Sequence, residues 1–136
     1  MIIFLDANVI IYQVEGAEPF HQHVRDILQR LLHRHDNACF AVSRLSMLEC
    51  LIKPVREQDT QRIARYRDFF SATDLTIVEI DAQVLETALL LRAHHGLRTP
   101  DAIQAASALS LKSRVTFLTG DRSFTTIPGF PVQLID

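Results

Sequence analysis

Met1-Ile2-Ile3-Phe4-Leu5-Asp6 opens the chain with five apolar residues, β-branched at Ile2 and Ile3, that end on an acid. A run without polar alternation is expected of a strand covered on both faces, the usual condition of a parallel sheet. Working outward, similar short apolar runs recur at residues 39–42, 75–80, 115–118 and 132–135. Between them, apolar residues fall at helical spacing. Val24, Ile27, Leu28, Leu31 and Leu32 follow Pro19, and Leu45, Leu48 and Ile52 lie between an expected cap, Ser43, and an expected stop, Pro54. Ile63, Tyr66, Phe69 and Phe70 mark another helix, and Val84, Leu85, Ala88 and Leu91 a fourth, capped by Asp81 and stopped by Gly96. Thr99 is expected to cap the last helix, with Pro100 at its first position and small Ala102, Ala105 and Ala106 along one side. Strands alternating with helices, without hairpin signals or repeats, predict one α/β domain over residues 1–136, a mainly parallel sheet flanked by helices.

A chain of 136 residues is long enough to bury roughly two-thirds of its unfolded surface. No apolar run approaches the roughly 20 residues of a membrane span, and no basic segment precedes the first strand, so a cytoplasmic protein without a secretory signal is expected. Cys39 and Cys50 both have apolar neighbours and are too few for a disulfide framework; they are expected to be buried free thiols. Formal net charge is −2, yet all 14 cationic residues except Lys53 and Lys112 are arginine, the side chain suited to bidentate phosphate contacts. The charge balance therefore leaves an RNA substrate open.

Four carboxylates stand against apolar segments: Asp6 after the first strand, Glu49 within Met47-Leu48-Glu49-Cys50-Leu51-Ile52, Asp101 after Pro100, and Asp121 beyond the strand that ends near Leu118. An acid beside a buried run costs free energy unless its charge is compensated. In an open parallel sheet the carboxyl ends of the strands share one edge, where ligands bind, and Asp6 and Asp121 belong to that edge. Asp101 lies in a first helical turn, and the apolar neighbours of Glu49 predict a largely buried helix face around it. Each acid also has a plain structural role open to it: Asp6 as a helix cap, Asp101 as a dipole-favouring acid, Asp121 as a turn residue. Together they point to a shared compensator, and a hard divalent cation such as Mg²⁺ or Mn²⁺ suits an all-oxygen set. Water held by such an ion can attack a phosphodiester. The histidine pairs His21/His23 and His33/His35 are two apart and cannot share a helix face, so they carry no metal site. There is no glycine-rich phosphate loop and no zinc-type cysteine spacing.

The order of these motifs resembles the PIN domain, and within it the VapC-type toxins of bacterial toxin–antitoxin pairs. Phe4-Leu5-Asp6-Ala7-Asn8-Val9-Ile10-Ile11-Tyr12 is similar to the first family motif and residues 43–51 to the second. Thr99-Pro100-Asp101-Ala102 with Ala105-Ala106 is similar to the third, and Leu118-Thr119-Gly120-Asp121-Arg122-Ser123-Phe124 to the fourth. The resemblance implies an endoribonuclease dependent on Mg²⁺ or Mn²⁺, with Asp6, Glu49, Asp101 and Asp121 as its acidic catalytic and metal-binding set and Asn8 and Thr119 as polar supports. It implies a homodimer and, for a toxin, a small antitoxin partner. Gly120 departs from the pattern, since many relatives carry a bulkier polar residue there. Arg44, Arg98 and Arg122 lie beside the acidic motifs as candidate phosphate contacts. A nuclease of RNA processing without an antitoxin is the alternative, and a binding module that has lost its chemistry is disfavoured by the retention of all four acids. A haloacid-dehalogenase-type phosphatase would need an acid where Asn8 stands, and a receiver domain would need a lysine ending a late strand, a position neither Lys53 nor Lys112 fits.

Overall fold

The computed structural model describes residues 1–136. The elements run β1 (Ile2–Leu5), α1 (Ala7–Glu15), α2 (Phe20–Arg34), β2 (Cys39–Ser43), α3 (Leu45–Arg56), α4 (Thr60–Phe70), β3 (Leu75–Val78), α5 (Ala82–His95), α6 (Thr99–Leu109), β4 (Val115–Thr119), a 3₁₀ turn (Arg122–Thr126) and β5 (Val132–Leu134). Five strands form one sheet in the order β3-β2-β1-β4-β5, and every pairing is parallel. The fold class is therefore the α/β parallel sheet flanked by helices that the strand–helix alternation predicts.

The opening run is the centre of that sheet. Alternation along β1 sends Ile3 and Leu5 to the core beneath α1 to α4, and Phe4 to the core beneath α5 and α6. All three are almost fully buried, which is why the run tolerates no polar residue. On the second face Phe4 stacks on Phe117, which meets Phe124 and Phe130, while Ala102, Ala105 and Ala106 pack into the same core. Strand order turns at β1: β2 and β3 extend to one side, β4 and β5 to the other. The crevice beyond the ends of β1 and β4 is thus the topological switch point, where parallel sheets bind ligands. No helix is long and apolar enough to cross a membrane.

Several local expectations are corrected. Ser43 belongs to β2 and Arg44 takes the cap position of α3, although the Ser43 hydroxyl still accepts the Leu45 N–H at 3.1 Å. Pro54 is buried inside α3, which continues to Arg56; the break falls in the last turn, where the loss of one hydrogen bond is offset by packing. Thr99 lies inside α6, capped by Arg98, and its hydroxyl accepts from Arg92. The face of α3 around Glu49 is not largely buried: Leu48 and Ile52 are 61% and 50% exposed, because Ser46, Cys50, Leu51 and Pro54 form the inward stripe. Leu32 and Leu85 likewise face outward, and Cys39, at the start of its strand, is exposed, whereas Cys50 is buried.

Candidate functional site

Asp6 follows β1 directly and caps α1, its Oδ1 accepting the Ala7 N–H at 2.8 Å. Its Oδ2 accepts the Thr119 hydroxyl at 2.7 Å and the Asn8 amide at 3.4 Å. Thr119, fully buried at the end of β4, accepts the Asp121 N–H at 3.0 Å, and Asn8 Oδ1 accepts the Gly120 N–H at 3.2 Å. Asn8 and Thr119 thus tie the two strand ends together around Asp6. A Cβ on Gly120 would stand 3.4 Å from Ile135 Cδ1, an ordinary contact, so the missing side chain frees no close approach.

Glu49 projects half-buried from the middle of α3, where its Oε1 accepts the Gln104 amide at 2.8 Å. The same Gln104 nitrogen donates to the Ser46 hydroxyl at 2.9 Å. Asp101, in the first turn of α6, pairs with the exposed Arg98 at 3.3 Å. Asp121 caps the 3₁₀ turn by accepting the Ser123 N–H at 2.9 Å. Three of the four acids therefore fill the plain structural positions their sequence context allows, and each of the four also lies in the field of at least one other.

That coupling is electrostatic. Burial lifts the Asp6 carboxyl from 3.8 to about 6; Thr119 and Ala7 oppose the shift, and Glu49 and Asp101 add to it. Glu49 is raised by burial, against the Gln104 hydrogen bond, and further by Asp101. Asp101 is raised by burial and by Asp121, with Arg98 opposing. Like-charge repulsion links all four carboxylates, and Arg98 is the one cation that relieves any of it. Yet no three histidine, cysteine, aspartate or glutamate side chains are gathered closely enough to enclose an ion as they stand. Arg98 pairs with Asp101, and Gln104 holds one Glu49 oxygen. In donor chemistry the set fits a hard divalent cation, being anionic, all-oxygen and otherwise undercompensated.

Beside Asp101 and Asp121 opens a cavity of about 430 Å³, lined also by His95, Arg98, Ser123 and Thr126. Arg98 is exposed on this lining, and Arg122, next to Asp121 in the chain, is exposed and lies 3.8 Å from Asp136. Arg44 differs, since its guanidinium is held by both carboxylate oxygens of Glu79. Gln104 and Ser46 escaped sequence reasoning. The one available signal was spacing: Gln104 is three residues after Asp101, and Ser46 three before Glu49, so each shares a helix face with its acid.

Residues 3–129 match the PIN domain family. This chain belongs to the PIN domain family. No curated protein sequence matches it. Among solved structures, this PIN domain is similar in fold to VapBC2 from Rickettsia felis bound to a DNA fragment from its promoter, at 21% identity over 98% of both chains and a TM-score of 0.77. A toxin–antitoxin complex from Klebsiella pneumoniae matches at 22% identity, again over 98% of each, with a TM-score of 0.75. VapC20 of Mycobacterium tuberculosis, a sarcin–ricin-loop-cleaving toxin, matches at 16% identity over 94% of this chain and 95% of its own, with a TM-score of 0.69.

Proposed function

We propose that this PIN domain, spanning residues 1–136, is a Mg²⁺- or Mn²⁺-dependent endoribonuclease and the toxin of a toxin–antitoxin pair. The observation that carries the reading is the set of electrostatically coupled carboxylates at the switch point of the sheet, with Asp6 buried and lacking any cationic partner. Asp6, Glu49, Asp101 and Asp121 would hold the ion. When bound, it supplies an acidified water and a positive charge for a phosphate oxygen. The protein's own contribution is positional. Thr119 and the Ala7 N–H fix both oxygens of Asp6, Asn8 ties that carboxylate to the β4 loop, and the Ser123 N–H holds Asp121. Arg98 and Arg122, both exposed, offer bidentate contacts to phosphates flanking the cut. Arg44, already forked onto Glu79, contributes less.

Fold likeness to toxin–antitoxin complexes supports a small antitoxin partner, and exposed apolar residues on α3 (Leu48, Ile52, Val55) and α5 (Leu85, Leu89, Leu90) support burial against a partner and a second copy. The decisive experiment incubates total RNA with the purified chain and Mn²⁺ or Mg²⁺, beside an Asp101→Asn variant and a chelator control. Cleavage is expected only with both the metal and Asp101. Cleavage that persists in the variant would assign the chemistry elsewhere, and absence of cleavage would favour a binding module.

A further inference from the structure

Gln104 is the one buried amide side chain of the protein, 1% exposed, on the face of α6 that meets α3. Both protons of its Nε2 are committed, one to Ser46 Oγ and one to Glu49 Oε1. Its Oε1 is buried with no hydrogen-bond partner. Orientation of the amide follows from chemistry: a carboxylate only accepts, so nitrogen faces Glu49 and the oxygen is left orphaned. A buried orphan carbonyl is a cost that an apolar residue of similar length would avoid, in a helix whose neighbouring inward residues are alanine and serine. Packing alone gives no account of a glutamine at this place.

We infer that Gln104 is a positioning residue, which through its two-pronged amide locks the rotamer of Glu49 and aims the free oxygen, Oε2, at the other carboxylates. The inference rests on the metal-dependent reading above. Glu49 has three rotatable bonds and is only half-buried, so without a donor it would swing into water. Ser46, one turn earlier on α3, braces the amide against rotation. Asp101 and Gln104 share a face of α6 while Ser46 and Glu49 share a face of α3. One helix–helix contact therefore sets the spacing of two carboxylates. The device acts on ligand geometry, outside the reacting groups themselves.

The test is Mn²⁺ binding by titration calorimetry for the wild-type chain, Gln104→Met, Glu49→Gln and the double variant, with RNA cleavage followed in parallel. Methionine keeps length and volume while removing the donor. About 10-fold weaker Mn²⁺ binding is expected for Gln104→Met, with kcat falling more than KM rises. In the Glu49→Gln background, measured at millimolar Mn²⁺, no further loss is expected. Wild-type affinity in a folded Gln104→Met protein would overturn the inference alone, as would an equal loss with and without Glu49. A wild-type chain that binds no Mn²⁺ would overturn the metal-dependent reading and the inference together. Should Gln104→Met fail to fold, the Gln104 side-chain amide signals of the wild-type protein carry the decision by NMR. They are expected to move as Mg²⁺ saturates the site, and signals that stay still would overturn the inference.

Discussion

Asp6 holds two positions at once, as the cap of α1 and as the buried member of an anionic group, and its proton records the conflict. With its folded pKa near 6 and an ordinary value of 3.8, the folded protein binds the proton more tightly than the unfolded chain does. Stability from this group is therefore fully present below pH 3.8 and is lost as pH rises through 6. At neutral pH the ion-free protein carries a cost of roughly 3 kcal/mol at this side chain. Asn keeps the cap and removes the charge, so Asp6→Asn should stabilise the chelated protein at pH 7 by about 1–3 kcal/mol while abolishing cleavage. Urea melts at pH 5 and 7 provide the check; a variant less stable than wild type at pH 7 would contradict the electrostatic account. Thr119 is coupled to the same charge. Thr119→Val preserves shape but removes the donor to Asp6 and the acceptor for Asp121, and Mn²⁺ affinity should drop about 10-fold. Unchanged affinity would demote Thr119 to packing. Gly120→Ala, by contrast, adds a methyl at ordinary contact distance from the Ile135 side chain (3.4 Å) and Asn8 Oδ1 (3.9 Å), and should leave activity within about two-fold. A large loss there would mean that its departure from the family pattern is functional.

At the scale of elements, the end of β1 with α1, the middle of α3, the start of α6 and the loop after β4 each carry one of the four coupled acids. The sequence exposes most of this because strand ends and helix starts are written in local chemistry: apolar runs, Asp and Gly caps, Pro near an N-terminus. What is not written locally is which side of a helix faces inward. Leu48 and Ile52 drew attention to Glu49 by surrounding it with apolar residues, yet they point outward, and the serine and cysteine beside it point in. Gln104 was illegible for the same reason, since its significance lies in a contact with a residue 55 positions away. Arginine roles also depend on distant partners. Arg44 is consumed by Glu79 across 35 residues, whereas Arg98 and Arg122 stay exposed. Arg98→Ala and Arg122→Ala should each lower the salt slope of RNA binding by about 1, and Arg44→Ala should change it far less. Equal slopes for all three variants would remove the distinction.

For the molecule as a whole, the proposed metal dependence makes stability respond to a cation. Mn²⁺ at about 100 times its dissociation constant should add about 2.7 kcal/mol, raising the melting temperature by several degrees, and chelator should reverse the gain. A melting temperature indifferent to Mn²⁺ would argue against a resident ion. The proposed self-association has an apolar face available to it as well. Leu85, Leu89 and Leu90 on α5 are each at least half exposed. Leu89→Glu should shift sedimentation toward the monomer without altering Mn²⁺ binding per chain; an unchanged sedimentation coefficient would place self-association on another face.

The hydrogen bond from Thr119 to Asp6 also has a temporal meaning. During synthesis Thr119, which orients Asp6, follows it by 113 residues. At about 5–20 residues per second the interval is roughly 6–23 s. Throughout it β1 lacks its β4 neighbour and the acids have no common crevice. Should the chain have the proposed nuclease activity, that activity would arise only once β4 has joined the sheet and Thr119 has met Asp6.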